Sequence, residues 1–242
     1  MSLQEVVPGV HQLTVRMGFL PYVHAFLVQD DDGLSLVDCG LPKRAELFLA
    51  SIAELGRARA DLRRIVVTHH HLDHVGSLRA VAAATGAIVH GPRGDAAIIR
   101  GEATGPGANR STWAGRWLGP VLERMEPRYE PPGHLEEVGD GDELPVGGGM
   151  RAIATPGHTA GHLSYLLPAA RLLIAGDAGT SLRGAVRRPI GMFNEDLPQV
   201  DRTIAKLAEL DFDVACFGHG GPIRGGANAA FRRAAEGFAS KR

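Results

Sequence analysis

The densest run of chemistry-bearing side chains in this sequence is Thr68-His-His-His-Leu-Asp-His-Val-Gly76, with four histidines and one aspartate between positions 69 and 74. A plain connection has no use for such a run. Neutral imidazole nitrogens and carboxylate oxygens are the usual ligands of zinc and similar divalent ions. His69 and His71 stand two apart, so both rings can point at one ion while Asp73 and His74 reach a second. Other catalytic patterns are missing: no Gly-x-Ser-x-Gly elbow, no Gly-x-x-x-x-Gly-Lys-Ser/Thr phosphate loop and no His-Glu-x-x-His helix. That weakens serine hydrolase, NTPase and single-zinc protease readings.

The elements that must position this run are legible around it. Ile65-Val-Val67 is a short β-branched strand, and residues 77–84 form an Ala-rich helix closed by Gly86. The spacing therefore puts His69 and His71 on the loop at a strand end, and Asp73 and His74 in the first turn of a helix. Upstream, Ala25-Phe-Leu-Val28 and Leu34-Ser-Leu-Val37 flank Asp30-Asp-Asp-Gly33 and predict a β-hairpin, followed by a helix over 43–55. Ala87-Ile-Val89 resumes as strand. The second half repeats this grammar, with strands at Arg151-Ala-Ile-Ala154, Leu163-Ser-Tyr-Leu-Leu167, Leu172-Leu-Ile174 and Val214-Ala-Cys-Phe217, and helices over 196–210 and 227–238. Two halves, each with strands and then a helix, predict an α/β fold of two packed sheets covered by helices on both outer faces. No internal period of 20–50 residues suggests a solenoid.

The histidine run resembles the metal motif His-x-His-x-Asp-His of the metallo-β-lactamase superfamily, and the resemblance recurs downstream in order. Thr155-Pro-Gly-His-Thr-Ala-Gly-His162 is similar to the family's third segment, Leu173-Ile-Ala-Gly-Asp177 to its fourth and Phe217-Gly-His219-Gly-Gly to its fifth. Leu36-Val-Asp-Cys-Gly40 resembles the first, in which Asp38 would support the ligand loop by hydrogen bonding. The resemblance implies a four-layer αββα sandwich of two mixed sheets over a single domain, 1–242. It implies one ion on His69, His71 and His158, a second on Asp73, His74 and His219, and Asp177 bridging them. Two divalent ions, zinc first with iron or manganese as alternatives, two aspartates and a hydroxide leave a formal charge of about +1. Such a pair lowers the pKa of a shared water from 15.7 toward about 7. The implied reaction is attack of a metal-bridging hydroxide on an ester, thioester or lactone carbonyl, with Asp73 orienting the water and shuttling its proton.

Departures from known subfamilies narrow the reading. β-Lactamases of this fold carry cysteine, or no ligand, where Asp177 stands, so a β-lactamase-like amide hydrolase is an alternative rather than the first expectation. Glyoxalase-II-type thioesterases share the Thr-His-His-His-x-Asp-His run but add a helical C-terminal region, and only 23 residues (242 − 219) follow His219 here. Acyl-homoserine lactonases often have tyrosine three residues after the bridging aspartate, where this chain has Thr180; Tyr22 is a candidate to reach the pocket from another loop. A mononuclear iron persulfide-dioxygenase-like oxidoreductase of the same fold is the second functional class, and a non-catalytic binding protein the third. Candidate substrate contacts are Tyr22, His24, Thr180 and the arginines Arg183 and Arg188 on an expected loop beside the metals, since guanidinium suits bidentate pairing with a carboxylate or phosphate.

The remaining histidines are expected outside the ligand set: His70 pointing away, His162 structural, His11 and His134 at the surface, His90 at a strand end. Residues 105–133, rich in Gly, Pro and Arg, contain both tryptophans. Trp113 and Trp117, with Val121, Leu122 and Met125, read as an apolar helix stripe interrupted at Pro120 and packed on the core, with a variable lid or dimer contact as the alternative. Bulk properties are ordinary: 242 residues, 26 basic against 27 acidic side chains and 44% hydrophobic. Nothing here has the basic footprint of a nucleic-acid binder. No apolar run approaches the 18–20 residues of a membrane span. The N-terminus lacks the basic start and apolar stretch of a secretion signal, and Cys39 and Cys216 give no disulfide framework, so the expected compartment is the cytoplasm. A small-molecule substrate and a monomer or homodimer complete the expectation.

Overall fold

Alternation along the strands decides the layers. In a computed structural model that describes residues 2–17, 20–125, 127 and 129–240, strand β3 (Leu20–Asp30) follows β1 (Ser2–Val7) and β2 (Val10–Met17). Val23, Ala25 and Leu27 of β3 join one apolar cluster, while Phe26 and Val28 join another on the opposite face. With β4 (Gly33–Val37), β5 (Leu62–Val66), β6 (Ile88–Pro92) and β7 (Glu136–Val138), these strands form a seven-stranded sheet in sequential order. Pairing is antiparallel from β1 to β4 and parallel from β4 to β7. The expected hairpin is present, with Phe26 opposite Val37.

The second sheet has β8 (Glu143–Leu144), β9 (Met150–Ala154), β10 (Leu163–Leu167), β11 (Leu172–Ile174), β14 (Val214–Cys216) and β15 (Ile223–Arg224), with β11 parallel to β14. Between β11 and β14 a separate hairpin, β12 (Thr180–Leu182) and β13 (Ala185–Arg187), takes the place of the expected plain loop. The inner faces meet through Phe26, Val37 and Val66 on one side and Ala152, Tyr165, Leu167 and Ile174 on the other. Outside the first sheet pack α1 (Ala45–Glu54) and α3 (Leu78–Thr85), preceded by the single turn α2 (Leu72–Val75) and followed by another, α4 (Ala96–Ile99). The 13-residue α5 (Trp113–Met125) crosses the variable segment, and α6 (Leu197–Ala208) and α7 (Ala227–Ala239) cover the second sheet. The order of layers is αββα, as the motifs implied.

Local chemistry explains the element ends. Asp196 caps α6 by accepting a hydrogen bond from the Gln199 N–H at 2.9 Å, and Gly86 ends α3 in the left-handed conformation at φ +76°. β1 and β2 had no clear reading in the sequence. β1 lies at the open edge of the first sheet, where half its side chains face solvent, and β2 pairs with it on one side and with β3 on the other.

The segment 105–133 corrects the sequence expectation twice. The helix α5 continues through Pro120, and its large apolar side chains face outward: Trp113, Trp117 and Met125 are 75%, 65% and 74% exposed. The side turned to the protein carries Gly115 and Gly119, against the chain at Asn109, Ala108 and Arg110. The stripe is present, but its largest side chains stand out from the described residues instead of packing on the core.

Candidate metal centre

Strand β5 runs out at Val66, and the following residues are pinned before the histidines begin. The Thr68 carbonyl accepts from the Leu163 N–H at 2.9 Å, and the Tyr165 hydroxyl donates to the Val67 carbonyl at 2.7 Å, so the second sheet anchors the loop of the first. Asp38 sits at the end of β4 with a left-handed backbone, φ +63°, uncommon for a residue with a side chain. Its carboxylate accepts from the Thr68 N–H, the Thr68 hydroxyl and His74 Nδ1, each at 2.8 Å. His71 occupies the position just before α2, which carries Asp73 and His74.

The seven expected donors converge. Ligand atoms of His69, His71 and His158 lie within 4.8 Å of one another, as do those of His69, His74 and Asp177, and those of Asp73, His74 and His219. Asp177 is central: its carboxylate oxygens stand 3.4 Å from His158 Nε2, 3.4 Å from His219 Nε2 and 3.7 Å from His74 Nε2. His219 Nε2 is also 3.2 Å from Asp73. His69, His74, His158 and Asp177 are buried, whereas His219 and Asp73 keep 25% and 20% of their side chains accessible, which marks the open side of the site.

Hydrogen bonds fix which nitrogen of each ring faces inward. His74 Nδ1 meets the Asp38 carboxylate, His158 Nδ1 meets the Asn194 amide oxygen at 2.9 Å, and His219 Nδ1 meets the Tyr22 carbonyl at 2.8 Å. All three partners are acceptors, so each Nδ1 is the donor. His69 Nδ1 lies 2.9 Å from the Thr68 hydroxyl, which gives its proton to Asp38 and must therefore accept. Nε2 is therefore the nitrogen of each ring turned into the site, and in the neutral ring it carries the lone pair that a metal requires. The buried atoms without any hydrogen-bond partner include His69 Nε2, His74 Nε2, His158 Nε2 and Asp177 Oδ1. Leaving such atoms unpaired costs about 1–3 kcal/mol each. Their clustering is what a cation site needs, and the residues present fit one.

The electrostatics agree. Burial keeps the imidazoles of His69, His71 and His158 below the ordinary histidine pKa. Burial opposes charge on His74 as well, but Asp38, Asp73 and Asp177 outweigh it and push its pKa up to about 10; Asp177 and Asp73, against the same opposition from burial, raise His219 to about 9. Carboxylates that draw protons onto these two rings define a region of negative potential, which divalent cations satisfy.

The other expected contacts are placed as follows. His24 is buried on β3, its N–H donating to the Gly218 carbonyl at 2.8 Å; burial first, then His219, lower its pKa to about 4. Tyr22 holds His219 through its carbonyl, with its ring half exposed beside the Arg16 guanidinium. Phe19, a further candidate for the pocket wall beside Tyr22 in the sequence, lies outside the described residues. The Thr180 hydroxyl donates to the His219 carbonyl at 2.6 Å, so it positions a donor loop. Arg183 is exposed at the tip of the β12–β13 hairpin. Arg188 differs from the expectation of a free substrate clamp: it makes a two-pronged pair with Asp201, at 2.6 and 2.9 Å, and lies over the Phe238 ring.

His162 accepts from the Asp177 N–H at 3.0 Å, and Gly176 beside it has φ +54° and room for no Cβ, which would meet His162 Nε2 at 2.8 Å. His70 turns away to Asp95, His90 pairs with Glu136, and His134 is exposed. His11, expected at the surface, is instead half-buried beside Glu5. Asn194 and Asp95 escaped the sequence reading. Neither lies in a motif, and only the finding that each is a buried polar side chain beside a donor loop exposes them.

Fold and donor set together define a metal-dependent hydrolase. The chain belongs to the metallo-β-lactamase superfamily, whose sequence model matches residues 19–219. It is 26% identical to the probable metallo-hydrolase YflN of Bacillus subtilis (strain 168) over 91% of this chain and 87% of that protein. It is 30% identical to a hydroxyacylglutathione hydrolase of Rhodobacter capsulatus over 81% of this chain, and spans 61% of that longer protein. Among solved structures, a metallo-beta-lactamase family protein from Thermus thermophilus superposes with a TM-score of 0.75 at 27% identity, covering 98% of this chain and 80% of that one. A B3 metallo-beta-lactamase with an active-site glutamic acid reaches a TM-score of 0.70 at 22% identity, over 100% of this chain and 90% of the other, a likeness of fold.

Proposed function

We propose that this protein hydrolyses a carboxylic ester, thioester or lactone at a dinuclear centre. The observation that carries the reading is the set of buried, unpartnered atoms His69 Nε2, His74 Nε2, His158 Nε2 and Asp177 Oδ1, all facing one space. His69, His71 and His158 would hold one ion, Asp73, His74 and His219 the other, and Asp177 both. Two divalent ions held there, zinc first with iron or manganese as alternatives, would lower the pKa of a water toward about 7 and polarise the substrate carbonyl.

The chain's own residues supply the rest. Asp73 stands on the accessible side, and although burial raises its pKa, His74 and His219 hold it well below the usual carboxylate range. It is therefore ionised in the ion-free protein at neutral pH, and as a carboxylate on the open side it is the residue placed to orient the attacking water. Tyr22 and His24 on β3 line the side of His219 and are the candidate substrate contacts there, with Arg183 at the hairpin tip reaching an anionic tail. The hydroxyacylglutathione hydrolase relatives support placing thioesters early in a substrate screen.

The test is metal analysis combined with turnover of thioesters, lactones, aryl esters and a β-lactam by the same protein. Two zinc or manganese ions per chain with ester, thioester or lactone turnover is the expected result. One iron per chain with consumption of dioxygen would replace this reading by the oxygenase, and preferred β-lactam cleavage would replace it by the amide hydrolase.

A further inference from the structure

Asp38 ties the donor loop to His74 from one side. A second buried carboxylate, Asp95, holds the same loop through His70. It lies just after β6, at the start of α4, and is almost wholly enclosed. One oxygen accepts from the His70 N–H and His70 Nδ1, each at 3.0 Å, and from the Thr159 hydroxyl at 2.8 Å; the other accepts from the Gly161 N–H at 2.9 Å. His70 lies between the donors His69 and His71, and Thr159 follows the donor His158. Two donor loops separated by about 90 residues in sequence thus meet on one side chain.

The backbone around it leaves no slack. A Cβ on Gly94 would lie 2.6 Å from Gly161 Cα, so the turn carrying Asp95 sits flush against the loop carrying His158. The contact is also charge-assisted: an ionised carboxylate accepting several N–H and O–H bonds in a buried setting holds its partners more tightly than neutral pairs do.

We propose that Asp95 is a positioning residue for the donor set His69, His71 and His158, locking the loop at 69–71 to the loop at 157–161 through His70, Thr159 and Gly161. The proposal rests on the reading that this donor set holds an ion. Asp95 touches no donor ring itself, and it acts by fixing the distance between two donor loops. Removal of an outer partner of this kind lowers metal affinity by about 10–100-fold.

The experiment measures the stepwise affinities of the full-length protein for Zn2+ by competition with a chromophoric chelator. His158→Ala and His219→Ala serve as references that show which step belongs to which donor set. Asp95→Asn is expected to weaken the step that His158→Ala removes by about 10–100-fold, leaving the other within about threefold. Thr159→Val keeps the carboxylate and removes one of its donors. It is expected to weaken the same step by about fivefold, and it decides the question if Asp95→Asn does not fold. Variants with a lower Tm but both steps unchanged, or with both steps weakened equally, would overturn the clamp and make Asp95 a structural residue only. A parent protein that takes up no ion would sink the metal-centre reading and this proposal with it; a parent with two ions separates the two failures.

Discussion

The donor loops and the helix α5 use similar amounts of sequence in opposite ways. Around the donors, polar groups are buried and nearly every one has a partner: Asp38 and Asp95 take several donors each, and Asn194, Thr68 and Tyr22 hold the rings. Four of the buried atoms that lack hydrogen-bond partners, His69 Nε2, His74 Nε2, His158 Nε2 and Asp177 Oδ1, belong to these donors. On α5 the pattern is reversed, with apolar side chains in water and small residues inside. A buried polar network whose unpartnered imidazole and carboxylate atoms cluster together predicts a cation there. An exposed apolar stripe predicts a partner surface, but not which one. Contacts made and contacts still owed are therefore both informative, in different degrees.

The contrast can be broken first at its strongest point. Asp177→Asn removes the charge shared by both donor sets and is expected to lower kcat/KM by more than the roughly 100-fold typical of outer partners, with loss of at least one ion by metal analysis. Retention of both ions and of activity would show that the convergence is incidental. Next is Asp38→Asn, expected to weaken the step assigned to His74 and His219 by about 10–100-fold, read by chelator competition.

Proton release tests the electrostatics. His74 and His219, raised to about 10 and 9, carry protons at pH 7 in the ion-free protein and must lose them to bind a metal. Calorimetry in buffers of different ionisation enthalpy should show up to two protons released per chain, with affinity falling as the pH is lowered. For the ion-free protein the sign is opposite. Pairing of these rings stabilises it fully below about pH 6.5, and that contribution is lost as the pH rises through 9 to 10. A Tm that is flat over that range would contradict the raised values.

The smallest effects concern α5 and the thiols. Trp117→Ser and Met125→Ser on the exposed stripe should change stability by no more than about 0.5 kcal/mol in thermal unfolding. Sedimentation at graded concentrations then separates the two roles open to the segment: a dimer contact loses self-association in these variants, whereas a lid leaves the mass unchanged and raises KM. Cys216 is buried with its thiol pKa pushed up to about 12 by burial, so it should resist thiol reagents in the native protein.

Much of the proposed donor set was legible because metal chemistry restricts residue type. His69, His71, Asp73 and His74 lie within one strand-to-helix turn, and the short segments around His158, Asp177 and His219 carry their own glycines and small residues. The periodic elements were legible for a related reason, since α6 and the inner strands bury one face and their apolar spacing records it. Edge strands and the β12–β13 hairpin were not, because their side chains are split between solvent and protein without a clean period.

What the sequence determined by itself was the kind of atom available and the local turn that presents it. The fold alone decided which ring nitrogen faces inward, since that depends on acceptors contributed from elsewhere, Asn194 for His158 and the Tyr22 carbonyl for His219. It also decided that Arg188 serves Asp201 and that the tryptophans face water. Hydrogen-bond partnership and burial are properties of separation in space, and separation along the chain does not encode them.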